Sequence, residues 1–170
     1  MKTTRNPFAS ALFLSLATLT LIASHEAKGV VYTWTGTTDT NWATAGNWSP
    51  TGGPPDANAD TALFNATGSG RSNPIVSAST DVGQISFASN ATAYTLGGTG
   101  QFRINGVGGA GSEGIVLANG SANQIISAAI RIDANQIWNI GGTSTLTVSG
   151  IVSENNNNAS SAETVGDLVI

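Results

Sequence analysis

The chain has 170 residues, of which 9% are charged, with a formal net charge of −4 and no cysteine. Six Lys and Arg residues cannot form the basic face that neutralises phosphates, which excludes a nucleic-acid-binding protein. The lack of Cys excludes disulfides, a thiolate nucleophile and a Cys-ligated metal. Gly, Ser, Thr and Asn stand where charges would be expected, a composition typical of many short strands joined by turns.

Residues 1–29 are predicted to form a secretory signal peptide. Lys2 and Arg5 give a positive start, residues 8–23 are uncharged and rich in Leu, and small residues follow. The alternative is a membrane anchor, but about 16 residues at roughly 1.5 Å each are too short for a ~30 Å hydrocarbon core. We therefore expect a cleaved signal helix, with membrane contact only during export. Cleavage would also remove His25, the one histidine of the chain.

Residues 30–80 are predicted to form an N-terminal cap region. The segment 30–35 alternates between apolar and polar residues like a strand, and residues 60–64 read as another. Three of the four tryptophans, Trp34, Trp42 and Trp48, fall in this region. They would cover the open first coil of a β-helix, since large aromatic side chains suit such an edge. The alternative is a carbohydrate-binding platform on which sugar rings stack.

Alternate oxygen-bearing side chains occur in a loop rich in Gly and Pro, at Asp56, Asn58 and Asp60. Oxygen ligands suit Ca²⁺, so this loop is the candidate metal site. The favoured alternative is a turn in which these side chains bond to their own backbone. No other cofactor is expected.

Residues 81–170 are predicted to be short strands separated by polar turns, with helix nearly absent. The apolar segments are 84–87, 94–96, 101–104, 114–117, 125–126, 130–132, 137–140, 146–148 and 168–170. Two segments, 101–105 and 129–133, share one pattern of apolar residue, Arg, Ile and a short carbonyl-bearing side chain. This recurrence predicts stacked coils with Ile104 over Ile132 inside and Arg103 near Arg131 outside.

The tryptophan motif resembles that of a known group of proteins. Trp34-Thr-Gly36, Asn41-Trp42, Gly46-Asn47-Trp48 and the segment 60–64 are similar to the N-terminal part of bacterial surface proteins with autotransporter-associated β-strand repeats. Residues 142–154 and 166–170 are similar to the coils of those passengers. The resemblance implies an all-β right-handed parallel β-helix, a solenoid, on the outer membrane of a Gram-negative-type cell or secreted from it. The repeats of that family would follow residue 170, so we expect the coils of residues 81–170 to be truncated.

The favoured function is a non-catalytic, adhesin-like scaffold that contacts glycans or other cell-surface components. Catalysis is not expected, because a glycosidase needs two facing carboxylates and the acids here are scattered. Serine hydrolysis needs a general base such as His, which a mature chain would lack. The alternatives are a carbohydrate-binding module that uses the Trp cluster, and the N-terminal fragment of a polysaccharide-degrading β-helix enzyme.

Overall fold

The structure is a computed structural model that describes residues 29–107, 112–155 and 168–169. The predicted signal peptide thus lies outside the described residues, apart from Gly29. The described residues contain no α-helix, which confirms that expectation for this part of the chain. They form strands β1 (Val31–Trp34), β2 (Trp48–Ser49), β3 (Thr61–Phe64), β4 (Thr80–Val82), β5 (Gln84–Phe87), β6 (Thr95–Leu96), β7 (Gln101–Ile104), β8 (Ser112–Leu117), β9 (Gln124–Ile126), β10 (Ala129–Ile132), β11 (Gln136–Ile140), β12 (Leu146–Val148), β13 (Val152–Glu154) and β14 (Leu168–Val169). Two 3₁₀ helices, Ala45–Asn47 and Ala66–Arg71, complete the described secondary structure.

The strands belong to three sheets. The long sheet has the order β14-β11-β8-β5-β3-β1-β2, the four-stranded sheet the order β13-β10-β7-β4, and the three-stranded sheet the order β12-β9-β6. From β5 onward the chain passes through the long, the three-stranded and the four-stranded sheet in fixed rotation, and we name each passage a circuit. The three circuits are β5–β7, β8–β10 and β11–β13. All described strand pairs are parallel except β1 with β2, so the all-β class is confirmed.

The register of β7 and β10 matches the recurrence seen in the sequence. Arg103 lies opposite Arg131 and Ile104 lies opposite Ile132. On the other side of β7, Val82 of β4 lies opposite Ile104. The predicted like-over-like stacking of this pair of segments is therefore confirmed. Parallel pairing produces it because equivalent residues of successive strands align side by side.

A buried interior runs between the three sheets. In β5, β7 and β10 partly exposed and fully buried residues alternate along the strand, as period-2 geometry requires. The buried positions of these three strands are no more than 2% exposed and are occupied by Ile85, Phe87, Phe102, Ile104, Ile130 and Ile132. Burial of their apolar surface, together with the backbone ladders, supplies the cohesion that disulfides cannot supply here.

The chain organises the N-terminal end of the long sheet differently. Here β2 runs antiparallel to β1, which places Trp48 opposite Trp34. A second link from this region is the bridge between Asn41 and Ile75, supported by the hydrogen bonds Trp42 N to Ile75 O (2.9 Å) and Ile75 N to Thr40 O (2.7 Å). These contacts position the residues that the sequence singled out.

Candidate functional site

The three tryptophans of the sequence motif lie together in the interior at this end. Trp34, Trp42 and Trp48 are 0%, 2% and 2% exposed. The ring centroids of Trp34 and Trp48 are 5.0 Å apart and those of Trp42 and Trp48 are 4.7 Å apart, both edge to face. Such geometry is favourable for aromatic pairs, because the positive ring edge meets the negative face.

Each indole N–H of this cluster has a backbone partner. Trp34 Nε1 donates to Arg71 O (2.9 Å), Trp42 Nε1 to Pro55 O (3.3 Å) and Trp48 Nε1 to Trp42 O (2.8 Å). Rings that are buried and satisfied in this way present no open face to a sugar. A stacking platform, the alternative function for these residues, needs ring faces that are open to solvent, and these three rings are buried. The favoured interpretation, a cap on the first coil, stays a prediction.

The cluster also continues into the ladder, which sequence reasoning missed. Phe64 of β3 lies within 6.4 Å, centroid to centroid, of all three indoles. It also stacks on Phe87 of β5 at 5.2 Å and contacts Tyr94 at 5.1 Å. The signal available was the pair of strands 61–64 and 84–87, both of which end in Phe.

The candidate calcium ligands make separate contacts. The Asp60 carboxylate accepts a hydrogen bond from Val30 N (2.9 Å), and the Asn58 carboxamide oxygen accepts one from Asn105 Nδ2 (3.1 Å). Asp56 is exposed and has neither a hydrogen-bond partner nor an ion-pair partner among the described residues. Among all the residues that the structure describes, no three His, Cys, Asp or Glu residues are grouped so that they could hold a metal ion.

A polar network holds the loop before β2. Asn47, which is fully buried, accepts hydrogen bonds from the backbone N–H groups of Thr38 (2.9 Å) and Asp39 (3.0 Å) and donates to the Asp39 carboxylate (2.7 Å). Asn41 N also donates to this carboxylate, at 2.8 Å. The bond from Asn47, followed by that from Asn41, lowers the pKa of Asp39. The motif Gly46-Asn47-Trp48 thus has a structural reason for its Asn.

Two arginines line the outer face of the four-stranded sheet. Arg103 Nη2 lies 2.5 Å from the Asp81 carboxylate, and Arg131 Nε lies 2.5 Å from that of Asp133. The hydrogen bond to Asp133 is the main cause that raises the pKa of Arg131. These ion pairs neutralise two cations that the register places side by side. Arg71, the third arginine of the residues that the structure describes, donates to the Gly36 carbonyl oxygen.

A cleft of about 270 Å³ opens beside Trp42. Three segments of the chain form its walls: residues 41–43, the loop at residues 54–56, and residues 76–80. It therefore brings together Trp42 and Asp56, which the sequence had assigned to two different sites. Sequence reasoning could not find the cleft, because its segments are adjacent only in the folded chain.

Comparison of this chain with protein-family models, with curated proteins and with solved structures found no match. Within the described residues, no helix has the length and apolar character needed to cross a bilayer.

Proposed function

We propose that this protein is a non-catalytic, adhesin-like scaffold of the Gram-negative-type cell surface, built as a right-handed parallel β-helix. The observation that carries the proposal is the fixed rotation of the chain through three parallel sheets with matched register. A right-handed path is supported by the general handedness of connections between parallel strands of one sheet. Repetition of one structural unit along an axis produces a long, rigid body with a large lateral surface, which suits a stalk.

The tryptophan cluster supports the same proposal. A ladder of circuits leaves apolar side chains uncovered at its first strand unless something covers them. Trp34, Trp42 and Trp48 fill that end next to Phe64, and Trp48 belongs to β2, which pairs with β1. We infer that residues 30–80 act as the cap of the β-helix.

The non-catalytic part of the proposal is supported by how the charged groups are used. The described cations, Arg71, Arg103 and Arg131, each bind a carbonyl oxygen or a carboxylate. Among the acids, Asp60 holds the Val30 N–H and Asp39 belongs to the Asn47 network. Groups held this way serve structure, and the charges of Arg103 and Arg131 are each neutralised by a carboxylate.

Export and surface display can be tested in a Gram-negative host that expresses the full chain. We expect mass spectrometry to show that the signal peptide has been cleaved off at a site within residues 1–29. We also expect protease added outside intact cells to digest the protein. Replacing Lys2 and Arg5 by Glu removes the positive start of the leader and is expected to keep the uncleaved protein in the cytoplasm. A wild-type chain that stays cytoplasmic with its leader intact would refute the surface proposal. Release of reducing sugars from polysaccharides by the purified protein would refute its non-catalytic part.

A further inference from the structure

We propose that the cleft beside Trp42 is a binding site for a neutral sugar unit, a role that goes beyond the scaffold function. The site differs from a stacking platform, because the Trp42 face is buried and the ligand would lie between the loop at Pro54–Asp56 and the segment Val76–Thr80.

Hydrogen bonds to backbone groups fix both walls of the cleft. The Pro55 carbonyl oxygen accepts from Trp42 Nε1 (3.3 Å) and from Thr80 Oγ1 (3.3 Å), which ties the loop to the opposite segment. Val76 N donates to Gly97 O and Gly100 N donates to Val76 O, both at 2.8 Å. The cleft is therefore present before a ligand arrives, and binding does not have to order its walls.

One glycine shows how closely the chain packs behind the cleft. Gly98 has φ +121°, and a Cβ atom built on it would lie 2.1 Å from the carbonyl oxygen of Val76. Only a residue without a side chain allows this approach. The segment that carries Val76 and Ala78 thus packs directly against the next circuit and has no space to move away from a bound ligand.

The lining combines apolar surface with a few polar groups. Ala43, Pro54 and Ala78 contribute the accessible apolar part, and the buried Trp42 and Val76 lie behind it. Asp56 lies on one wall, and Ser77 and Ser79 lie on the other. Ligand sites generally have this composition, in which apolar contacts supply area and a few polar groups fix the orientation.

Asp56, Ser77 and Ser79 are also uncommitted. None of the three side chains makes a hydrogen bond or an ion pair with another described residue. Asp60 and Asp39, by contrast, are engaged in holding the same region together. An exposed carboxylate that the fold does not use is available to accept hydrogen bonds from a ligand.

The chemistry of the lining selects the class of ligand. Asp56 is the only charged lining residue, so an anion would meet an unbalanced negative charge. A cation that relies on an aromatic face finds Trp42 only 2% exposed. A pyranose presents C–H surfaces to apolar walls, and a carboxylate can accept hydrogen bonds from two of its hydroxyl groups. The volume of about 270 Å³ lies below the usual range for drug-sized ligands, which suits one or two sugar rings.

The test is an NMR titration of the ¹⁵N-labelled protein produced from the full chain. The probes are the methyl glycosides of glucose, galactose, mannose and N-acetylglucosamine, with choline as a cationic probe. We expect at least one glycoside to bind with a dissociation constant of about 1 mM and to shift the amide signals of residues 76–80. Binding of choline alone, or of no glycoside at concentrations up to about 50 mM, would overturn the proposal.

Matched variants inside and outside the cleft test where the ligand binds. Asp56→Asn replaces a charged acceptor and is expected to weaken binding by about tenfold or more, whereas Glu154→Gln makes the same charge change on β13 and should have no effect. Ala78→Phe fills the cleft and should abolish binding, while Ala93→Phe adds the same ring at an exposed position outside it. Amide spectra of each variant verify that it is folded. Binding that survives Ala78→Phe in a folded protein would show that the ligand lies elsewhere.

Discussion

The stacked column at the centre of the four-stranded sheet allows a quantitative prediction. Ile104 is 0% exposed and lies between Val82 of β4 and Ile132 of β10, both of which are also buried. Ile104→Ala removes three carbon atoms, and at roughly 0.8 kcal/mol for each buried group the transfer loss is about 2.4 kcal/mol. Neighbours on both sides are held by the ladder and cannot collapse, so a cavity contribution brings the expected loss to about 3–4 kcal/mol.

Equilibrium unfolding in urea, followed by circular dichroism, measures this loss. The matched control is Ile125→Ala, because Ile125 is 40% exposed on β9 and lies between Thr95 and Thr147. We expect the control to lose less than about 1 kcal/mol, as substitutions at exposed strand positions usually do. Equal losses in the two variants would refute the buried column as a source of stability. A change in the slope of the unfolding transition would instead indicate that the circuits no longer unfold together.

Three further predictions concern polar groups, two of them in the interior and the third the exposed carboxylate of Asp39. Gln124 is fully buried, accepts from Tyr94 N (2.8 Å) and donates to Thr92 O (2.9 Å), so Gln124→Leu should cost about 3 kcal/mol or more in the same urea assay. Gln101→Leu, at a partly exposed position of β7, should cost little, and equal costs would contradict this role of Gln124. Trp48→Phe removes the hydrogen bond to Trp42 O (2.8 Å) but keeps an aromatic ring, so a loss of about 1–3 kcal/mol is expected; a loss near zero would show that the bond is not needed. The lowered pKa of Asp39 stabilises the folded protein above the ordinary Asp pKa, and this contribution is lost as the pH falls through the lower folded value. The free energy of unfolding of Asp39→Asn should therefore depend less on pH below about pH 4 than that of the wild type, and an unchanged dependence would contradict the assignment.

The strands that could be predicted are those with a strong apolar pattern. Segments 84–87, 101–104 and 146–148 were predicted with the bounds the structure has, because each alternates or runs apolar between turn residues. β4 was missed, because Thr80–Val82 contains a single apolar residue and, among the described strands, pairs with β7 alone. β2 was missed because its two residues form a strand only as the antiparallel partner of β1. In both strands tertiary pairing decides, and local sequence does not record it.

The rotation of the chain was difficult to recognise for a similar reason. The connection from β4 to β5 is the single residue Gly83, whereas residues 105–111 join β7 to β8. Loops of such different length hide any fixed period, although the strands they join stack in register. The stacking is recorded in the sequence only by short matched segments, namely the Arg-Ile pairs of β7 and β10 and the terminal Phe of β3 and β5.

The role of the tryptophans, as sugar-binding or as interior residues, could not be predicted from the sequence either. Whether an indole binds sugar or fills the interior depends on what covers its face. Trp42 is covered in part by Phe102, and their ring centroids are 4.9 Å apart. Phe102 lies on β7, far from Trp42 in the sequence. The walls of the cleft, at residues 41–43, 54–56 and 76–80, are also separated in sequence, so both sites became visible only in the folded structure.

The stacking geometry also accounts for the low charge of this chain. Neighbouring strands lie roughly 4.8 Å apart, so an outward side chain has the equivalent residue of the next circuit beside it, and like charges there repel. One outward column of the long sheet is uncharged, with Thr33, Leu63, Ser86, Val116 and Asn139 in register. The four-stranded sheet does place two arginines side by side, and each of them has its own carboxylate within 2.5 Å. A content of 9% charged residues is thus what parallel stacking favours, and an added outward charge should be tolerated only where a carboxylate or cation can be placed next to it.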